Sequence, residues 1–466
     1  MSTPTGFKQR VADAISDARL VRAVHLATLH KVESREASFL AMRDPEAIRD
    51  AAAQIKRRTL RNLPRYLEQF AESVARRGGQ VHFAPDAAAA RRIVCEIARA
   101  SGAKLAVKSK SMATEEIELN PALEAAGLRI VETDLGEFIV QIDRDRPSHI
   151  VTPIIHKTRQ QVAAAMVRAI GCEYTDDPAR LTQIARAYLR DVFQRCELGI
   201  TGVNFGVAET GTLCICTNEG NGRMTVTRPR VHIALMGIEK LVPRLRDLAP
   251  MLKLLSRSST GQPMTVYTTL ITGPRAANEP DGPRELHVVL LDNGRSRLLG
   301  GDYESVLSCI RCGACLNACP VYRNIGGHAY ASVYPGPIGS LVTPLLAGLH
   351  RNADLPRASS LCGACQAACP VKIDIPGLLV KLRRDSAAAQ PLSKRAAIAL
   401  WAWLMTSPAR YEAAQGLLPL LLRGDADGWI HAAPGPAAAW THSRDLPAPP
   451  RETFRSLWRS RLQDGA

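Results

Sequence analysis

What this sequence has little of narrows it first. Aromatic residues make up 5% of its 466 positions, and Ala and Leu carry the apolar load. No apolar run reaches the roughly 18 residues that a membrane-spanning helix needs, and the longest candidate, Ala396 to Met405, falls far short. The first ten residues run into Asp13 and Asp17 before any apolar core, so the h-region of a secretory signal is missing. There is no P-loop and no G-x-G-x-x-G after a strand, which removes the usual fingerprints of nucleotide and dinucleotide binding. Hydride chemistry would need a flavin or nicotinamide, and no motif here binds one. Acidic charge is also short: 44 Asp+Glu face 60 Lys+Arg, a formal net charge of +16. The surplus is scattered, with Lys56, Arg57, Arg58, Arg61 and Arg65 in one helical stretch and Arg383 and Arg384 in another. Aromatics are not interleaved among these cations, and no nucleic-acid motif accompanies them, so no nucleic-acid partner is expected. A solvated basic surface is the plain reading. Docking to an acidic partner, or peripheral contact with an anionic membrane, is the sharper one.

What the chain does have is cysteine at metal spacing. Seven of its twelve cysteines fall between Cys309 and Cys369. The first run, Cys309-Ile-Arg-Cys312-Gly-Ala-Cys315-Leu-Asn-Ala-Cys319-Pro320, has the C-x2-C-x2-C-x3-C-P spacing of bacterial ferredoxins. The second reads Cys362-Gly-Ala-Cys365-Gln-Ala-Ala-Cys369-Pro370. In two-cluster ferredoxins the fourth Cys of each run ligates the other cluster. By that rule Cys309, Cys312, Cys315 and Cys369 hold one cluster, and Cys319, Cys362 and Cys365 hold the second. Two iron–sulfur clusters, both [4Fe–4S], are therefore expected. The second has only three evident thiolates, because Ser359 stands where a further Cys belongs. Its completion stays open among a Ser, water or substrate ligand, a distant Cys, and a [3Fe–4S] cluster. Small Gly313, Ala314, Gly363 and Ala364 leave backbone amides free to approach cluster sulfurs. Zinc also takes four thiolates but has no need of this run. Thiols clustered for metal, without a secretory signal, fit a reducing compartment and a cytoplasmic protein. Cys95, Cys172, Cys196, Cys214 and Cys216 read as structural.

The rest of the chain divides by texture. Residues 1–77 carry helical spacing, such as Val11, Ile15, Leu20 and Val24, and the stretch ends at Gly78-Gly79. From 78 to 295, short apolar runs alternate with amphipathic ones. Strands are predicted at Val81–Ala84, Lys104–Val107, Leu128–Val131, Phe138–Gln141, Gly211–Thr217, Val231–Met236, Met264–Leu270 and Leu286–Leu291. The helices between them include Ala87–Ala100, Leu119–Ala126, Thr158–Ile170 and Pro178–Cys196. That alternation argues for a largely parallel α/β sheet. Residues 296–390 form a mostly α, ferredoxin-like region, with an irregular Gly/Pro-rich segment between the cysteine runs. Residues 391–466 form a tail of two helices, Ala396–Met405 and Leu417–Leu422, and an extended end, Pro434 to Pro450, draped over the domain. The fold class is thus multidomain α/β.

Two polar stretches in the α/β domain are candidates for a cleft at the carboxyl ends of the strands. They are Lys108-Ser-Lys-Ser-Met-Ala-Thr-Glu-Glu116, and Glu209-Thr-Gly-Thr212 followed by Thr217 to Arg223. Lys108 and Lys110 could hold an anion, and Glu209 or Glu219 could move a proton. Turn-shaping and helix capping are the plain alternative.

Several of these stretches, taken in order, resemble the lactate utilization protein B family. They are Lys108 to Asn120, Val131 to Glu137, Pro147-Ser-His-Ile-Val151, Ile200 to Arg223, His232 to Pro243, the cysteine runs, Gly326 to Pro344, and Trp440-Thr-His-Ser-Arg-Asp-Leu-Pro447. The resemblance implies an iron–sulfur subunit of a three-protein system that oxidises L-lactate to pyruvate. It implies as partners a second cysteine-rich iron–sulfur subunit and a small subunit carrying the same α/β (LUD) domain, and the electron acceptor stays unnamed. The LUD domain is similar in fold to the CoA-transferase and sugar-phosphate isomerase superfamily. The family's ligands fall on the same seven cysteines, and Ser359 is shared with its pattern. It supplies no catalytic residues. The alternatives are a cluster-containing enzyme acting on a small carboxylic acid or CoA-like ligand in the LUD cleft, and a redox-sensing scaffold.

Overall fold

The computed structural model describes residues 6–389, 392–450 and 452–464. The chain divides into two compact units between Ser386 and Ala387. The expected boundary at 390/391 lies outside the described residues.

The first unit is built on two sheets. Ten strands run in chain order: β1 Gln80–Ala84, β2 Leu105–Lys108, β3 Arg129–Glu132, β4 Leu198–Gly202, β5 Phe205–Val207, β6 Thr212–Thr217, β7 Val231–Gly237, β8 Leu241–Val242, β9 Tyr267–Ile271 and β10 Glu285–Leu291. Six of them form a parallel sheet in the order β1-β10-β7-β4-β2-β3. Every residue of β7 is buried, as a central strand covered on both faces must be. The other four, β8-β5-β6-β9, form a small mixed sheet beside it.

The α/β expectation holds, with exchanges that have local causes. The apolar run Phe138–Gln141 was expected as a strand and is helical, within Leu135–Ile142. Asp134 starts that helix by accepting from the Gly136 and Glu137 amides, and a four-residue apolar run alone cannot tell strand from buried helix. Strands β4 and β5 were not expected, and glycines interrupt both of them, at Gly199, Gly202 and Gly206. Gly199 is glycine for a steric reason: a Cβ there would sit 2.1 Å from Thr225 O on the helix that crosses β4. The segment between the cysteine runs is largely helical, not irregular. It holds Pro320–Ile325 and Gly336–Ala347, with prolines in the first turns where no amide is needed.

Four N-terminal helices, Phe7–Ser16, Ala18–Leu40, Pro45–Arg61 and Leu63–Arg76, pack on this unit rather than standing apart. Their cations are partly structural. Arg35 and Arg49 donate to the Ala367, Ala368 and Cys369 carbonyls at the end of the second cysteine run. Lys56, read from the sequence as part of a solvated basic face, is buried and donates to Glu239 O.

The second unit holds helices Leu392–Met405, Pro408–Leu421 and Phe454–Asp464 and a two-stranded pair, Trp429–Ile430 with Leu446–Pro447. Its predicted extended end contains a helical turn at Ala438–Thr441. Among the described residues no helix is long and apolar enough to cross a membrane.

Candidate iron–sulfur centre and cleft

The two cysteine runs fold alike. In each, a glycine at positive φ, Gly313 at 79° and Gly363 at 84°, precedes a five-residue helix, Ala314–Ala318 or Ala364–Ala368. Each helix stops on the run's last cysteine, Cys319 or Cys369, where Pro follows. The two helices lie against each other, and this contact crosses the sets. Cys309, Cys312 and Cys315 line one cavity together with Cys369 from the second run. Its walls are apolar, with Ile310, Ile338, Val371, Ile373 and Ile375. The remaining three thiols, Cys319, Cys362 and Cys365, act on one another. Burial raises Cys365 to about 12, with further pushes from Cys319 and Cys362. Cys362 alone of the seven is exposed, and no cysteine is paired in a disulfide.

This donor set suits iron and sulfide. Four cysteines line one apolar cavity, and amides stand near sulfur: Arg311 N at 3.4 Å from Cys309 Sγ and Ile373 N at 3.4 Å from Cys369 Sγ. Burial and crowding push the Cys312 and Cys315 thiols up and raise Cys369 to about 11. Thiols so disfavoured as free anions are matched by a cation centre that binds them deprotonated.

The second site is a cleft of about 480 Å³ at the carboxyl ends of β2, β4 and β7. Of the four sequence candidates it takes two. Lys110 lines it, with Nζ 2.9 Å from Val151 O and 3.7 Å from Glu137. Glu219 lines it too, pushed up to about 7 by desolvation and the nearby Asp134. Lys108 does not. It is buried under the strand ends, 2.8 Å from each of Thr114 Oγ1, Glu115 and Glu132, and those partners outweigh burial and raise its pKa. Glu209 lies on the surface, accepting from Leu245 N at 3.0 Å. The cleft floor is what the sequence did not announce: it reaches Arg311 and Cys312 of the first cysteine run. The Ser256 and Ser259 hydroxyls at its wall are buried and lack hydrogen-bond partners among the described residues.

Residues 67–291 match the LUD domain family, 305–373 the 4Fe-4S dicluster domain, and 380–463 the C-terminal domain of lactate utilisation protein B. The chain is 43% identical to lactate utilization protein B of Bacillus cytotoxicus over 463 residues, covering 98% of both chains. Its identity to the Shouchella clausii protein of the same name is 44%, over 99% of this chain and 98% of that one. This chain belongs to the lactate utilization protein B family.

In this family member the LUD and dicluster parts are joined by buried charge. Arg295 donates to both Glu116 oxygens, at 2.8 and 2.7 Å, and to Glu239 at 2.7 Å. Tyr334 OH reaches Glu116 at 2.6 Å, and Arg311 stacks 4.4 Å from the centre of the Tyr334 ring while facing Glu239 at 3.7 Å. Glu116 and Glu239 come from the LUD part, Arg311 and Tyr334 from the cysteine region. A second tie is His149, buried, with Nε2 3.0 Å from Asn317 Oδ1 and Nδ1 accepting from Val151 N at 3.0 Å. No spacing in the sequence brings these partners together. Pro147-Ser-His-Ile-Val151 was visible only as a stretch that fits the family. Cys214 and Cys216, read from the sequence as structural, have their sulfurs 3.9 Å apart. Asp145, His156 and His328 gather their ligand atoms, but Lys157 also reaches Asp145, at 2.6 Å, and the group is satisfied by hydrogen bonds.

Proposed function

We propose that this chain serves lactate utilization as an iron–sulfur electron-transfer subunit of a system that oxidises L-lactate to pyruvate. Cys309, Cys312, Cys315 and Cys369 hold one [4Fe–4S] cluster; Cys319, Cys362 and Cys365 hold the second. The observation that carries the reading is the crossed cavity, where a thiol from the second run completes the set of the first. Bound there, such clusters exchange single electrons. The chain's own residues set the conditions. Apolar side chains keep water from the first site, amides and Arg311 stand by its sulfurs, and the exposed Cys362 leaves the second site open to a docking surface. Partners of the kind named for the family, a second cysteine-rich subunit and a small LUD-domain subunit, supply the two-electron chemistry and the route onward. Twelve cysteines with no disulfide among them fit a reducing cytoplasm.

Anaerobic L-lactate added to the isolated, cluster-loaded chain leaves the clusters oxidised, and adding both partners reduces them. Reduction by lactate with no partner present would overturn the reading.

A second reading has one observation in its favour: the cleft with its unpartnered serines extends to Cys312. Here the chain itself seats a small carboxylic acid or CoA-like ligand beside the first cluster. Lys110→Ala with Glu219→Gln separates the two. Lost lactate-dependent reduction, with clusters and partner binding intact, favours a ligand site in the cleft; unchanged reduction favours a pure electron carrier.

A further inference from the structure

The second cysteine run is one thiolate short in sequence, but its backbone is not one turn short. In the first run the residues flanking Cys312, Arg311 and Gly313, both take positive φ, at 61° and 79°. In the second run the residues flanking Cys362, Leu361 and Gly363, do the same, at 56° and 84°. A non-glycine residue at positive φ is uncommon, and a bulky one such as Leu is a real exception. Matching the runs residue by residue at these turns pairs Cys362 with Cys312, Cys365 with Cys315 and Cys369 with Cys319. Ser359 then falls on Cys309. The polar contact repeats as well. Arg311 N donates to Cys309 Sγ at 3.4 Å, and Leu361 N donates to Ser359 Oγ at 3.2 Å.

Other groups near this turn are committed elsewhere. The Ser359 carbonyl accepts from Arg383 Nη2 at 2.8 Å, while Arg383 Nε holds Pro356 O at 2.8 Å, so the turn is clamped. The Ser359 hydroxyl takes no second hydrogen bond among the described residues.

We propose that Ser359 Oγ is the fourth ligand of the second cluster. The proposal rests on the reading of the seven cysteines as ligands. On ligation the Ser359 O–H bond breaks, an iron–oxygen bond forms, and the proton leaves to solvent, which reaches this side at the exposed Cys362. Oxygen is a harder donor than sulfur and favours the more oxidised iron. The second cluster is thereby set to a lower potential than four thiolates would give it.

The chain is purified anaerobically with its clusters loaded, as wild type, Ser359→Ala and Ser359→Cys. Wild type keeps its iron through mild oxidation and shows no EPR signal of a three-iron cluster. Ser359→Ala loses one iron per chain and shows that signal. Ser359→Cys keeps the iron and moves the midpoint of one cluster upward, leaving the other in place. ENDOR of the reduced wild type in oxygen-17 water, which needs no variant, shows no iron-bound solvent oxygen. Bound solvent in the wild type, or equal iron retention by wild type and Ser359→Ala, overturns the proposal. A chain that takes up no reducible cluster in any form overturns the cysteine reading and this proposal with it.

Discussion

Replacing Arg295 by Met is the sharpest test of how the LUD part and the cysteine region hold together. Met fills much of the same space but leaves two buried carboxylates without their shared cation. Glu116 keeps Asn293 and Tyr334 as donors, and Glu239 keeps Arg311 at 3.7 Å. Breaking a buried pair by removing one partner costs about 3–5 kcal/mol, and the remaining donors place this loss near the middle, about 4 kcal/mol. Its dependence on pH is the diagnostic part. In the parent, burial pushes Glu239 up but Arg295, Lys240 and Arg311 outweigh it and hold it at about 2. A carboxylate held below its unfolded value of about 4.3 contributes stability that is present above that value and is lost as pH falls toward 2. In the variant, burial is less opposed and both carboxylates rise. Protonation then relieves the folded state, so the gap between variant and parent narrows as pH falls from about 8 to about 5. The narrowing is at most about 1.4 kcal/mol per proton and pH unit. Urea unfolding of the cluster-loaded chain, followed by far-UV circular dichroism at both pH values, reads the gap directly. A loss below about 1 kcal/mol, the range of ordinary surface changes, or a gap that does not narrow, refutes the reasoning.

Three further outcomes follow from the same structure. Cys369→Ala, although it lies in the second run, abolishes the EPR signal that Cys309→Ala abolishes and spares the one lost in Cys365→Ala; the opposite grouping would uncross the runs. Lys108→Met destabilises the fold by about 3–5 kcal/mol in urea, because Glu132 is left buried without its cation, yet it leaves ligand binding in the cleft unchanged. Gly199→Ala drives a methyl into Thr225 O and costs about 1–3 kcal/mol or more, read as a lowered melting temperature, whereas Gly171→Ala meets no neighbouring atom and strains only its left-handed backbone.

How much of this was legible depends on how far apart the partners stand. The crossing of the cysteine runs was legible, because the ferredoxin spacing places Cys369 with Cys309, Cys312 and Cys315, and those four line one cavity. The parallel sheet was legible where strands are apolar runs, as in β7 and β10, and was lost at β4, where Gly199 and Gly202, each set against a close neighbour, interrupt the apolar run. The helix at Leu135–Ile142 was misread because the signal that decides it is a single cap, Asp134, and not the apolar run. The cleft was half legible: Lys110 and Glu219 were found, but Lys108 and Glu209 share their polar neighbourhoods without facing the space. The Arg295 cluster gave no signal at all, since its partners are 56 and 179 residues away in sequence.

Cys312 lines the cavity of the first cysteine set and also the floor of the cleft. One peptide therefore forms the partition between an apolar room and a polar-lined one. With a cluster held at Cys312, a ligand in the cleft would change the solvent exposure of that sulfur, and the reduction potential of an iron–sulfur cluster moves with the solvent exposure of its ligands. On the proposed reading, occupancy on one side of the partition would become a change in voltage on the other, with no moving part between them.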